Sequence, residues 1–156
     1  MKQLILLALT VASGLISSLN SDEALAQISL SCPTQGILTL SGKFNLITTQ
    51  QAQCNFTVDN SVSNLGVTIN LGNPILDTIL STGKKPDPSG TIKTAQLGYS
   101  NSFNGQSKTL NEGTSTTDTF SGLTTTTMFL SMQIQRPQEF FAGSYLYGIT
   151  LNITAP

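Results

Sequence analysis

Few side chains in this sequence could do chemistry. Two cysteines, Cys32 and Cys54, and six acids, Asp59, Asp77, Asp87, Glu112, Asp118 and Glu139, are spread over residues 27–156, and the chain contains no histidine. Without an imidazole, neither a Ser-His-Asp nor a Cys-His nucleophile can be assembled. A pair of carboxylates could serve a glycosidase, but these acids fall in turns and no two share a face of one expected strand. Phosphate-cradling glycine loops and calcium loops are missing, and a two-cysteine metal site would lack both histidine and a CxxC partner. The expectation is therefore no catalysis, no cofactor and no metal. In an exported chain an even cysteine count reads first as a disulfide, Cys32–Cys54, which would lower the entropy of the unfolded chain by roughly 3 kcal/mol. Two buried free thiols are the alternative.

Export is expected from the start of the chain. A short positive start, Met1-Lys2-Gln3, precedes the mostly apolar run Leu4 to Ile16, and Ala24-Leu25-Ala26 supplies the small-x-small pattern of a cleavage site. Residues 1–26 thus read as a signal peptide and residues 27–156 as a single domain, destined for the periplasm, the cell surface or secretion. The apolar run is short and interrupted, and no later stretch could span a bilayer. Residues 27–156 carry six Lys and Arg against the six acids, with no basic cluster beyond Lys84-Lys85, so neither nucleic acid nor an anionic membrane surface is an expected partner.

The elements that must position these groups are strands. Ile28, Leu30 and Cys32 share one parity, as do Cys54, Phe56 and Val58, so a bridge would tie a first strand to a second. Val67, Ile69 and Leu71 mark another core strand, and Thr124 to Ile134 alternates over six apolar or threonine positions. Ile75 to Leu80 fits a helical turn as well as an irregular strand. Lys84 to Gly90, with two prolines, reads as a solvated loop, and Asn111 to Asp118 as a polar, mobile one. The end of the chain is the clearest strand: Tyr145, Tyr147, Ile149, Leu151 and Ile153 alternate with Leu146, Gly148, Thr150, Asn152 and Thr154. A long half-buried strand at a terminus leaves an edge that another strand must pair with or cover. An exposed Tyr99 and the Asn- and Gln-rich loops would suit a carbohydrate, although any sandwich shows such loops to solvent.

Seven or eight short strands with turn signals between them argue for an all-β, immunoglobulin-like antiparallel β-sandwich. A leader, a cysteine just after the first strand, a second at the start of the next long strand, and Ala142-Gly143-Ser144-Tyr145 ahead of an alternating terminal strand together resemble the spore coat protein U and chaperone–usher pilin-like subunits. That resemblance implies an incomplete sandwich whose missing strand leaves an apolar groove bordered by Tyr145, Tyr147, Ile149, Leu151 and Ile153. It also implies a periplasmic chaperone, an usher and sister subunits as partners, and a structural or adhesive role at the cell surface by β-strand complementation. Only Gln27 to Ser31 would precede Cys32 after cleavage, too short for a donor strand. The chain is then either an acceptor-only subunit, or a complete sandwich with Ile28 and Leu30 in its own first strand. A free-standing secreted β-sandwich binding module, with carbohydrate as its candidate ligand, is the other functional expectation.

Overall fold

The computed structural model describes residues 5–6, 28–58, 64–83, 85–101 and 103–155. The expected leader lies outside them except for β1 (Ile5–Leu6), which pairs antiparallel with Ile37 and Leu38. Everything else is built from antiparallel strands, and the all-β sandwich expected from the alternation is what forms.

The first sheet starts from one long hairpin. β2 (Ile28–Thr34) and β3 (Ile37–Ser41) make one arm, β4 (Asn45–Gln50) and β5 (Ala52–Val58) the other. The turn between the arms holds Gly42 at a φ of 73°, a conformation open to glycine without a Cβ penalty. Ile28 and Leu30 thus belong to the chain's own first strand. β11 (Thr125–Gln135) runs along β4 and β5, β8 (Ile92–Ser100) lies on its other side, and β9 (Ser107–Asn111) pairs with β8. Between β4 and β5 the register on β11 slips by two residues, from Ile47 opposite Gln133 to Ala52 opposite Leu130. Thr48 bridges the slip: its Oγ1 accepts from the Met132 N–H at 2.7 Å and donates to the Met132 carbonyl at 2.9 Å, standing in for the missing peptide unit.

The second sheet has β6 (Asn64–Leu71) between β10 (Thr114–Ser121) and β13 (Leu151–Thr154), and continues past a break as β7 (Ile75–Leu76) beside β12 (Tyr147–Gly148). The Gly72 N–H donating to the Thr150 carbonyl at 2.8 Å joins the two parts. Inward side chains of both sheets form one core, with Phe56 of β5 meeting Phe120 of β10 edge to face at 5.0 Å. Each fully buried Leu, Ile or Phe contributes about 1.5–3 kcal/mol. Outward faces are ruled by hydroxyls that pair across strands, Thr57 with Thr125 and Thr68 with Thr117.

Three sequence expectations change. The Asn111 to Asp118 stretch is no mobile loop: after a two-residue turn at Glu112-Gly113 it becomes β10, paired with β6 over eight residues. Its β-branched threonines suit a pleated surface, and a strand buried on one side needs little apolar residue of its own. Ile75 to Leu80 splits into β7 and a turn, because the Asp77 carboxylate accepts from the Ile79 and Leu80 N–H groups and caps it. The terminal strand is broken into β12 and β13, and Tyr145 lies ahead of it.

Candidate functional site

The two lateral sides of the sandwich are unlike. On one side β9 passes directly into β10, and the turn between them bonds to both sheets: Glu112 N–H to the Ala95 carbonyl at 3.0 Å, Gly113 N–H to the Leu71 carbonyl at 2.7 Å. That side is closed by the chain itself. On the other side β2 ends the first sheet and β13 ends the second, each paired along one edge only among the described residues. The partly buried hydrophobic residues packed against the core are Ile28, Leu30 and Cys32 of β2, Ile153 of β13, and Ala155. These two strands and the residue after β13 therefore border an apolar seam where the sandwich is incompletely covered. Backbone donors and acceptors along the outer edges of β2 and β13 point toward whatever would fill it.

β2 is held at the seam by a covalent bond. Cys32 and Cys54 form the expected disulfide, with Cα atoms 3.9 Å apart directly across the hairpin. Cys54 is buried, and Cys32 sits on the rim.

The terminal segment is held by a buried ion pair that the sequence did not announce. Arg136 follows β11, and its side chain is 1% exposed. Its guanidinium donates to Asp87 Oδ1 from Nη2 at 2.6 Å and from Nε at 3.1 Å, and to the Tyr147 hydroxyl at 3.1 Å. Tyr147 in turn donates to Asp87 Oδ1 at 2.7 Å. Phe140 and Tyr145 place their rings 4.5 Å and 4.6 Å from the guanidinium carbon, adding cation–π attraction in a site with little water. Burial works to lower the Arg136 pKa, but Tyr147 and Asp87 outweigh it and hold the guanidinium protonated. For Tyr147, burial and then the Asp87 carboxylate push the phenol pKa upward. The loop expected to be solvated thus folds its Asp87 inward, since a buried arginine needs a carboxylate partner.

The Ala142 to Tyr145 stretch has a packing reason. Thr82 and Gly83 donate their N–H groups to the Ser144 carbonyl at 3.0 Å and 2.9 Å, and the Ser144 N–H donates to Thr82 Oγ1 at 2.9 Å. A Cβ on Gly83 would lie 2.2 Å from the Tyr145 ring, and one on Gly143 would lie 2.6 Å from the Gly83 backbone. Glycine at both positions lets the two segments touch.

Of the five residues expected to border a groove, Tyr145, Tyr147, Ile149 and Leu151 are buried in the core, and Ile153 alone reaches the rim. The reason is the Arg136 cluster and the Gly83 contact, which draw the two tyrosines inward. Tyr99 is also buried, its hydroxyl donating to Asp118 at 3.2 Å, so it offers no exposed platform to a sugar. Burial first, then Asp118, raises its pKa. Among the described residues no helix is long and apolar enough to cross a membrane, and no group of three or more His, Cys, Asp or Glu could hold a metal ion. The disulfide is compatible with an exported protein. No family model matches the chain, and neither does any curated protein.

Proposed function

We propose that this chain is an exported structural or adhesive subunit of a pilus-like or coat-like cell-surface assembly, joined to its neighbours by β-strand complementation. The observation that carries the reading is the seam: two strand edges, β2 and β13, unpaired among the described residues, with Ile28, Leu30, Ile153 and Ala155 half-covered beside them. A strand laid there would gain backbone hydrogen bonds from an edge and would seal the core with every second side chain. Each apolar side chain so buried is worth up to about 1.5–3 kcal/mol, so a donor with four or five of them would bind persistently. In the same reading a periplasmic chaperone covers the seam first, an usher exports the subunit, and a sister subunit supplies the lasting strand. The likeness of Cys32, Cys54 and the Ala-Gly-Ser-Tyr ending to spore coat U and pilin-like subunits supports this assignment. Ile28 and Leu30 are paired in β2, as the complete-sandwich expectation had them, so they are not free to serve as a donor strand; in this reading the chain is an acceptor at the remaining edges and its donor comes from another subunit.

The test is made on material sheared from the surface of the native cells, run unboiled and boiled on a denaturing gel and probed for this chain. A ladder that collapses on boiling is the expected result. A single monomer band in both lanes would remove the proposal.

A further inference from the structure

A second feature, independent of the seam, lies on the outer face of the first sheet. There the slip between β4 and β5 draws one strand away from β11 and leaves a depression of about 530 Å³, within the size range of ligand pockets. Its walls carry Thr94 and Gln96 of β8, Ser131 and Gln133 of β11, Asn111 of β9, and Glu112. Register sets them in rows: Asn111, Gln96 and Ser131 stand side by side, and Thr94 beside Gln133 forms the next row. Neighbouring side chains are therefore about 5 Å apart across strands and about 7 Å along them, the scale of one sugar ring and its hydroxyls.

We propose that this depression is a binding site for a neutral saccharide. Its chemistry selects by elimination. Among the described residues no cation lines it, so nothing there neutralises a phosphate, sulfate or sialic acid. A single carboxylate, Glu112, already accepts from the Ala95 N–H at 2.8 Å and makes no cation site. β8 is paired on both edges from Gln96 to Tyr99, the outer edge of Ala95 is taken by Glu112, and the Met132 backbone is taken by Thr48, so a peptide finds no free edge at the floor of the depression on which to add as a strand. What remains is a surface where amides and hydroxyls, groups that both donate and accept, stand among apolar groups of Ile47, Ala95 and Met132, a mixture that matches the hydroxyls and C–H faces of a polyol. One row further on, Phe129 faces the same way and is 37% exposed. It stands opposite Gly98, where an added Cβ would meet nothing within 4 Å. The space beside the ring is thus vacant, and the apolar face of a sugar can stack there.

The test titrates the protein with neutral gluco-, manno- and galacto-oligosaccharides, with a sulfated oligosaccharide and an unrelated peptide as controls, followed by amide NMR shifts. One neutral class at millimolar concentration is expected to move the amides of Gln96, Ser131 and Gln133. The double variant Gln96→Ala, Gln133→Ala should weaken binding about tenfold or more, two to three hydrogen bonds being lost. Gly98→Thr fills the vacant space without a clash and should abolish the stacking contribution while the unfolding midpoint holds or rises. The inference is overturned if no neutral oligosaccharide shifts these amides, if the sulfated compound or the peptide binds there instead, or if Gly98→Thr folds and binds undiminished. None of these outcomes bears on the gel ladder.

Discussion

Removing Arg136 is the sharpest perturbation of the fold. Arg136→Met keeps the length and apolar stem but leaves Asp87, 12% exposed, without its guanidinium. Losing one partner of a buried ion pair costs about 3–5 kcal/mol, mostly the penalty of the stranded charge. Here the carboxylate keeps the Tyr147 hydroxyl at 2.7 Å and Lys93 Nζ at 3.4 Å, which favours the lower end, about 3 kcal/mol. Loss of the cation over Phe140 and Tyr145 adds about 1 kcal/mol, partly offset by sulfur–aromatic contacts of the methionine. Adding Asp87→Asn removes the stranded charge, so the double variant should be more stable than Arg136→Met alone, with a coupling of about 2 kcal/mol. Urea unfolding with the disulfide intact reads both quantities. A cost below about 1 kcal/mol for Arg136→Met, or additivity within about 0.5 kcal/mol, would refute the argument that this pair fixes the terminal segment.

Replacing both cysteines with alanine reopens a loop of sequence separation 22 and should cost about 3 kcal/mol in the same assay. Gly83→Ala drives a Cβ into the Tyr145 ring and should cost about 2–3 kcal/mol, whereas Gly66→Ala, which meets nothing within 4 Å, should cost less than 1 kcal/mol on roughly the scale of surface substitutions. Tyr99 and Tyr147 have folded pKa values above the unfolded value of 10.0, so their contribution is complete below that pH. It is lost as pH rises beyond it, because the unfolded chain then releases protons that the folded one retains. Stability should fall above about pH 10 by up to about 2.7 kcal/mol per pH unit for the two groups, with the tyrosinate absorbance of Tyr99 and Tyr147 appearing only as the chain unfolds.

Much of the fold was legible because it rests on a two-residue period. Cys54, Phe56 and Val58, Val67, Ile69 and Leu71, and Met128 to Ile134 all point inward as their alternation demands. β10 was not legible, since Thr114 to Thr119 has no apolar alternation and its inward face is carried by Phe120. The Asp87, Arg136 and Tyr147 cluster joins residues 49 and 60 positions apart in the chain, and no local pattern announces such a meeting. A lone arginine following a core strand was the available signal, because a charge at that position needs a buried partner. The burial of Tyr99 is hidden for a related reason: its parity in β8 is inward, and Asp118, which satisfies its hydroxyl, belongs to β10, the strand without apolar alternation.

The two fixed points of the sandwich bear on its open side. The disulfide pins β2 directly, and the Arg136 cluster pins the start of β12, the segment that leads into β13, so one border of the seam is anchored covalently and the other through the residues ahead of it. Anchored borders cannot easily collapse onto each other, and a preorganised opening lowers the ordering cost that an incoming strand must meet. This separates fold from assembly. Ile153→Lys places a charge on the rim, where the long stem can still lie along the apolar edge, so the isolated chain should lose only about 1 kcal/mol. An apolar strand seated in the seam would instead face a buried ammonium, and the unboiled ladder should vanish while the unfolding midpoint scarcely moves. A ladder that survives Ile153→Lys would place the junction elsewhere on the molecule. A ladder lost only together with the fold would mean that Ile153 serves the core and that the seam is not where subunits join.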